Sequence, residues 1–206
     1  MSMSKAGYIV GETDTGGFAF VSDLDRYPPF SIRHRRFGPI ELTRGCSYGC
    51  WFCQTPRLHG ARPRHRSIEN VCAHVRIMRE RAFRDMRFIS PNALSYGSPD
   101  GRTMNLPAVE ILLRQLREAT GEGGRLFFGS FPSEVRPEHL TPQTAALIRR
   151  YADNDNLLIG GQTGSDRLLA AIRRGHTVED VRRAVAATLD AGFTANVDFI
   201  FGLPGE

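Results

Sequence analysis

The chain has 206 residues, and its 41% hydrophobic content is enough to bury the core of one domain. Its 27 Lys and Arg against 22 Asp and Glu give a formal charge of +5, which permits an anionic partner without demanding one. No stretch approaches the roughly 18 apolar residues of a membrane span, and the first residues lack the apolar run of a signal peptide. These features exclude a membrane-spanning or secreted class and predict a cytoplasmic globular protein.

Residues 1–38 follow no regular pattern and are rich in Gly, Pro, Asp and Arg, so we predict an N-terminal extension or linker there. From residue 39 onward, short apolar or β-rich runs alternate with segments of helical periodicity. The runs read as strands buried on both faces, at 39–43, 86–90, 125–131, 156–161 and 195–201. The helices are predicted from Ser, Asn and Thr caps and from terminal glycines, at 67–83, 106–120, 142–152, 165–174 and 178–191.

Strands and helices that alternate with such short connections predict a parallel sheet, either an open α/β sheet or a (βα) barrel. We therefore assign residues 39–206 to one α/β core domain. The sequence stops directly after the fifth strand, where a βα protein would begin another helix. This leads us to expect a truncated core whose C-terminal part is missing.

Three of the four cysteines lie within eight residues, in the segment TRGCSYGCWFC. Cys46, Cys50 and Cys53 have the spacing Cys-x3-Cys-x2-Cys and follow the first predicted strand, where ligand sites form in parallel α/β folds. In a reducing compartment this clustering argues for metal binding and against disulfides. Three thiolates on one loop can hold a four-iron cluster, and they leave one iron open because most such clusters take four cysteines.

A structural zinc site is the alternative, and zinc wants four protein ligands. The nearest candidates for a fourth ligand are His59, His65 and Cys72. Cys72 lies on the apolar face of its predicted helix and is more simply a core thiol. Both histidines belong to an arginine-rich run, RLHGARPRHR at 57–66. That run is either a patch for phosphates or a solvated loop, and it lacks the interleaved aromatic residues that stack on bases.

The cysteine spacing resembles the hallmark of the radical S-adenosylmethionine (SAM) superfamily. The likeness extends from Phe37 to Glu206, through strings such as FISPNALSYGSPDG and DFIFGLPGE. As a whole it resembles the radical SAM domain of an uncharacterised prokaryotic family that carries an N-terminal cobalamin-binding domain. The segment GGQTGSDRLLAAIRRGHT is also similar to tRNA methylthiotransferases.

The resemblance implies a partial TIM-type barrel with a [4Fe-4S] cluster on Cys46, Cys50 and Cys53 and with SAM bound to the open iron. One electron from a reductant such as flavodoxin or ferredoxin would cleave SAM to methionine and a 5′-deoxyadenosyl radical. Only 45 residues precede Cys46, and no Asp-x-His-x-x-Gly cobalamin signature occurs. We therefore expect cobalamin only in a longer relative.

The resemblance also implies further cofactor contacts, each with an ordinary structural alternative. Phe52 would pack by the adenine or in the core, and Asn92 would hold the methionyl amino group or serve as a turn residue. Ile200 and Leu203 would lie near the adenine at the end of the fifth strand. Polar residues after the third and fourth strands are candidates for contacts with SAM or substrate, against roles in turns and caps: Ser130, Glu134, Gln162 and Ser165. No further catalytic residue is assigned.

Three functions remain. The first is a radical SAM enzyme for methylation or a related C–H functionalisation of an unknown substrate. The second is a tRNA methylthiotransferase-like enzyme, which the likeness to methylthiotransferase SAM cores and the basic run favour. Against it, the sequence shows neither an RNA-binding appendage nor a second set of cluster cysteines. The third is a zinc-stabilised α/β binding module or an inactive fragment.

Overall fold

The structure is a computed structural model that describes residues 23–206. The helices are α1 Thr55–His59, α2 Ile68–Glu80, α3 Leu106–Thr120, α4 Pro142–Tyr151, α5 Asp166–Ala171 and α6 Val178–Asp190. The strands are β1 Ile40–Glu41, β2 Thr43–Arg44, β3 Arg64–His65, β4 Asp85–Met86, β5 Phe88–Ile89, β6 Arg125–Leu126, β7 Asn156–Gln162 and β8 Thr194–Phe199. None of the helices in this part of the chain is long and apolar enough to cross a membrane.

Parallel pairing of strands confirms the predicted α/β class. β1 pairs with β5, β4 with β6, and β7 with β8, each in parallel. The segment after β6 joins β7 through a 2.9 Å hydrogen bond that the Leu158 amide donates to the Gly129 carbonyl oxygen. The five predicted strand regions therefore lie side by side in the order of the chain, and their strands pair as short two-stranded ladders.

Helix starts follow the sequence closely, because each predicted cap has a side-chain oxygen that accepts a hydrogen bond from an amide of the first turn. The capping residues are Ser67, Asn105, Thr141, Ser165 and Thr177. In α3, Val109, Leu112 and Leu116 are fully buried and recur at the spacing of one helical face. Each such side chain contributes about 1.5–3 kcal/mol of burial free energy.

Two helices end earlier than the sequence predicted, and both end in the same way. α2 ends at Glu80 and α5 at Ala171, because Ala82 and Arg173 adopt left-handed backbone angles, with φ of 64° and 56°. The Arg174 amide then donates to the Leu169 carbonyl oxygen, which closes the helix end as a Schellman-type turn. For α5 we expected Gly175 to mark the helix end, whereas Arg173 adopts the left-handed position instead.

β8 contradicts the prediction that every strand is buried on both faces. Asp198 is exposed, and Phe199 is 50% exposed. Within residues 23–206, β8 pairs with β7 alone, so its second edge carries no strand. Because only one edge of β8 is paired, part of the strand remains open to solvent. The charged side chain of Asp198 is tolerated there without a buried partner.

The arginine-rich run at 57–66 is partly structural. It includes the end of α1 and the strand β3, which pairs antiparallel with β2. Arg66 is 2% exposed, and its guanidinium donates to the carbonyl oxygens of Leu24, Tyr27 and Glu41 at 2.6–3.0 Å. Arg66 therefore holds the segment before β1 against the core. The first 22 residues of the predicted extension lie outside the described residues.

Candidate active site on the cysteine loop

The cysteine loop follows β2 and turns at two glycines. Gly45 has a φ of 92°, and a Cβ there would lie 2.4 Å from the Arg62 carbonyl oxygen, so no other residue fits. Hydrogen bonds anchor the loop at both ends. The Cys46 amide donates to the Gly60 carbonyl oxygen at 3.2 Å, and the Trp51 amide donates to the Ile172 carbonyl oxygen at 3.0 Å. The loop is thereby fixed against α1 and the end of α5.

Cys46, Cys50 and Cys53 line one cavity of about 190 Å³. All three are free thiols, and Cys50 is 5% exposed while the other two are partly exposed. Cys72, the fourth cysteine, is buried in the hydrophobic core, as the apolar face of its helix predicted. The other side chains and loops that line the cavity are Gly49, Phe52, Thr55, Pro56, Ser90, Pro91, Pro132, Glu134, Arg136 and Arg174.

Two buried arginines form one wall of the cavity. Arg174 is 8% exposed, and its Nη1 lies 3.8 Å from the Cys50 Sγ. Arg136 is 2% exposed, stacks on the Tyr48 ring at 3.4 Å from the centroid, and donates to the carbonyl oxygen of Arg174. Its Nε also donates to Glu138 at 2.6 Å. These contacts place two fixed positive charges beside the thiols.

Burial and charge act in opposite directions on the acidic groups of the cavity. Burial raises the pKa of the Cys46 thiol, whereas the Tyr48 amide and the charge of Arg136 lower it. Burial likewise raises the pKa of the Glu134 carboxyl, and nearby Arg174 partly offsets this. Burial and the charge of Glu138 raise the pKa of Tyr48 to about 12, although Arg136 acts against the shift, so this phenol stays protonated at neutral pH.

The residues present fit an iron-sulfur cluster. A cluster takes thiolates, and the arginine wall compensates the negative charge that three thiolates bring into a partly buried cavity. The Nε of Arg174 is buried and has no hydrogen-bond partner among residues 23–206. In the same part of the chain, no three or more His, Cys, Asp and Glu side chains are arranged around a point that could hold a single metal ion.

Several predicted cofactor contacts come together at this cavity. Phe52 and Glu134 line it directly, together with the three cysteines. Gln162 lies behind Glu134 and donates from its Nε2 to the Glu134 Oε2 at 3.3 Å. The backbone of Gln162 is left-handed, with a φ of 71°, an uncommon conformation for a residue other than glycine. The pairing of β7 with β8 is irregular between Ile159 and Gln162, at the end of the strand that carries this side chain.

Asn92 does not line the cavity, and its side chain is engaged elsewhere. It is 3% exposed, accepts a 3.2 Å hydrogen bond from the Arg136 amide and contacts the His139 Nδ1 at 2.7 Å. Asn92 therefore joins the segment after β5 to the segment after β6. As placed, its amide has no contact with the cavity.

Four further predicted residues also lie outside the cavity lining in the described chain. Ser165 caps α5 by accepting from the Leu168 amide at 3.4 Å, and Ser130 is buried. The Ile200 amide donates to the Gln162 carbonyl oxygen at 2.8 Å, and Leu203 is 7% exposed. Ser165 thus has the structural role that the capping pattern offered as its alternative.

Sequence reasoning missed the two arginines of the wall. Neither Arg174 nor Arg136 was among the predicted site residues. Arg136 follows the third predicted strand, in the same loop as Glu134, and this position could have indicated it. Arg174 could not be found this way, because it turns inward only where α5 ends early.

Comparison with known families agrees with the cysteine loop and the parallel strands. Residues 40–206 match the radical SAM superfamily. The chain belongs to the radical SAM superfamily, whose enzymes use a [4Fe-4S] cluster and SAM. The fold and the family therefore both agree with a cluster-binding site, and not with a zinc module.

Each alignment with a curated relative covers most of this chain but less than half of the relative. The tRNA-2-methylthio-N(6)-dimethylallyladenosine synthase of Ralstonia nicotianae is 29% identical over 198 residues, which is 92% of this chain and 40% of that protein. An uncharacterised protein of Methanopyrus kandleri is 30% identical over 169 residues, covering 81% of this chain and 31% of that protein. The chain thus spans about two fifths or less of these curated relatives.

Two solved structures with a similar fold have titles that describe radical SAM enzymes. The methyltransferase TsrM from Kitasatospora setae, solved with cobalamin and a [4Fe-4S] cluster, has a TM-score of 0.65 at 21% identity, over 83% of this chain and 32% of that chain. The cobalamin-dependent SAM radical enzyme OxsB has a TM-score of 0.63 at 15% identity, over 96% of this chain and 29% of that chain. At these identities the likeness shows an α/β radical SAM core.

Proposed function

We propose that this chain is the catalytic core of a radical SAM enzyme and holds a [4Fe-4S] cluster on Cys46, Cys50 and Cys53. The observation that carries the proposal is the convergence of these three thiols on one cavity with Arg136 and Arg174. Membership of the superfamily supplies the chemical precedent. Three cysteines leave one iron for SAM, because a fully ligated cluster would need a fourth.

When bound, the reduced cluster and SAM supply a 5′-deoxyadenosyl radical that abstracts a hydrogen atom from the substrate. The chain's own residues hold and orient these groups. Glu134, whose side chain is 37% exposed, presents a carboxylate for the positively charged amino group of SAM, and Gln162 fixes that carboxylate. Phe52, 38% exposed at the cavity, offers its ring to the adenine.

Of the other predicted cofactor contacts, some are proposed to contact the cofactor and others to have structural roles. Ile200 and Leu203, at the end of β8, would lie beside the adenine, and Ser130 has a buried hydroxyl without a partner among the described residues. The contacts of Asn92 and Ser165 favour structural roles, since Asn92 joins two loops and Ser165 caps a helix. We therefore propose that these two act on SAM only by shaping the loops around it.

We further propose that residues 39–206 are one domain with the strand order of a partial barrel and that residues 1–38 are an N-terminal extension. The parallel ladders in chain order support this arrangement. A one-electron carrier such as flavodoxin or ferredoxin would supply the electron. Four free cysteines suit a reducing compartment, which is consistent with a cytoplasmic enzyme.

The reaction class that we propose is methylation, methylthiolation or a related C–H functionalisation. Its support is the likeness to a structure titled a radical SAM methyltransferase and to proteins named methylthio-adenosine synthases. A tRNA methylthiotransferase-like activity is the second candidate, favoured by the curated relatives at 28–29% identity. Cobalamin would act with a longer relative, since no cobalamin signature occurs in this sequence.

The test is spectroscopic. The chain is purified without oxygen, reconstituted with iron and sulfide, reduced with dithionite, and examined by EPR before and after addition of SAM. We expect a [4Fe-4S]⁺ signal that SAM perturbs and that Cys50→Ala abolishes. Cys72→Ala is the matched control, because Cys72 lies in the core and outside the cavity. Stoichiometric zinc without a cluster would overturn the proposal.

The second candidate has its own test, because RNA binding has a steep dependence on salt. Retention of unmodified tRNA is measured between low and physiological salt, beside a DNA duplex of equal charge. Retention of tRNA alone, with loss at higher salt, would favour the methylthiotransferase-like activity. Equal and weak retention of both nucleic acids would indicate that the substrate is not tRNA.

A further inference from the structure

Arg174 is held rigidly beside the cysteine loop. Its Nη2 donates to the Gly160 carbonyl oxygen at 2.9 Å and lies 3.6 Å from the Glu134 Oε2. Its own carbonyl oxygen accepts from Arg136, and the guanidinium carbon is 6.0 Å from the centre of the Phe52 ring. A guanidinium with this many fixed neighbours has little freedom to move away from Cys50.

The space for this arrangement comes from a glycine in β7. A Cβ at Gly160 would lie 2.4 Å from the Arg174 Nη2, 2.3 Å from the Glu134 Oε2 and 2.8 Å from the Gln162 Nε2. No side chain larger than hydrogen fits there without displacing all three groups. The lack of a side chain at Gly160 therefore leaves the space in which the Arg174 guanidinium lies against the cavity.

The Nη1 of Arg174 points to one cysteine in particular. It lies 3.8 Å from the Sγ of Cys50, within the range of a hydrogen bond to sulfur, and both side chains are buried. Arg173, the neighbouring arginine, is exposed and lies 5.3 Å from the Trp51 ring instead. The two arginines carry equal charge, but only Arg174 reaches a cysteine of the cavity.

We propose that Arg174 is a positioning residue that raises the reduction potential of the cluster by donating a hydrogen bond to the Cys50 thiolate. This inference rests on the proposed function, since it assumes that Cys50 is a cluster ligand. Reduction adds one electron, taken from the external one-electron donor, so the negative charge on the cluster and its thiolates increases. A buried cationic donor stabilises the reduced form more than the oxidised form, and hydrogen bonds to the sulfurs are known determinants of cluster potentials.

The test is an EPR-monitored redox titration at fixed pH without SAM, which reads the potential independently of turnover. Arg174→Gln should shift the midpoint to a more negative value and lower the ratio of reduced to oxidised cluster about tenfold at the same ambient potential, the effect of one charge-assisted hydrogen bond. Arg173→Gln removes the same charge one residue away and should leave the ratio within about twofold. Iron and sulfide content of each variant shows that a cluster is present.

A second pair of variants keeps every charge and changes the position of the guanidinium, together with the ends of the Glu134 and Gln162 side chains. Gly160→Ala would displace Arg174, whereas Gly164→Ala is the control, because a Cβ at Gly164 meets nothing within 4 Å. We expect Gly160→Ala to shift the potential in the same direction as Arg174→Gln and Gly164→Ala to leave it unchanged. This pair decides the matter if Arg174→Gln does not fold with a cluster.

The outcomes separate this inference from the function on which it rests. A wild-type chain that assembles no cluster would overturn the proposed function. A wild-type cluster with equal potentials in the Arg174→Gln and Arg173→Gln variants would overturn only the role of Arg174. Unchanged potentials together with loss of the SAM-induced EPR change would also overturn it, since Arg174 would then act as a ligand of SAM and not on the cluster.

Discussion

The guanidinium of Arg136 lies 3.4 Å from the centre of the Tyr48 ring, and in the sequence Tyr48 is midway between Cys46 and Cys50. This contact joins the cysteine loop to the segment after β6, which carries Glu134. A second arginine, Arg102, lies 5.0 Å from the same ring. The loop that presents the cysteines thus contacts two other segments, one before α3 and one after β6.

Removal of this ring should loosen the cysteine loop. We expect Tyr48→Leu to lower the free energy of unfolding by about 1–2 kcal/mol, the range of a desolvated cation–π contact. The iron content after reconstitution should fall as well, because the loop is then less ordered. Urea titration and iron analysis measure both effects. Tyr151→Leu is the control, since Arg150 stacks there at 5.3 Å, away from the cavity, and its iron content should equal that of the wild type.

Asn92 should act on stability and not on SAM. Asn92→Ala removes the side-chain partner of the buried Arg136 amide and of the His139 Nδ1, so we expect a loss of about 1–3 kcal/mol in the free energy of unfolding. The loss should be the same with and without SAM. A variant of wild-type stability that no longer binds SAM would instead identify Asn92 as a direct contact.

Ser165 and Thr177 offer a matched comparison, because both cap helices and only Ser165 was a candidate contact. Alanine at either position should cost about 1 kcal/mol of stability. Equilibrium binding of SAM to the reconstituted protein should then be equal in the two variants. Selective weakening of SAM binding by Ser165→Ala would contradict the capping role.

Stability should decrease in mild acid because of His176. Burial, and next the charge of Arg174, lowers the pKa of His176 from 6.5 to about 4, and the ring is 6% exposed. A lowered folded-state pKa gives stability that is fully present above pH 6.5 and is lost as the pH falls toward 4. His176 is therefore neutral at pH 7, and its 3.8 Å contact with Glu138 is not an ion pair.

The measurement is the free energy of unfolding from pH 7 to pH 4. We expect the wild type to lose of the order of 2 kcal/mol through this group. His176→Gln should flatten the profile, whereas His34→Gln, at an exposed position, should keep the wild-type slope. Equal slopes in all three proteins would show that His176 is not the titrating group.

Much of the fold could be predicted because its signals are local. Helix starts at Ser67, Asn105 and Thr141 depend on a side chain and an amide three residues away, and all three are confirmed. Helix ends were less predictable, because Ala82 and Arg173 adopt backbone angles that only surrounding contacts stabilise. The pairing of β2 with β3 was missed for the same reason, since it joins residues about twenty positions apart.

The sequence by itself determined the family and the chemistry that we propose for this protein, because three thiols at this spacing, placed after a strand, resemble the cluster loop of radical SAM enzymes. Only the tertiary structure decided what surrounds the loop. Glu134 and Arg136 reach the cavity from the loop after β6, and Arg174 reaches it from the end of α5, where the helix ends at Ala171 and Arg173 has a left-handed backbone. Thiolate spacing is set by the local chain, whereas charge around it depends on contacts between residues far apart in sequence.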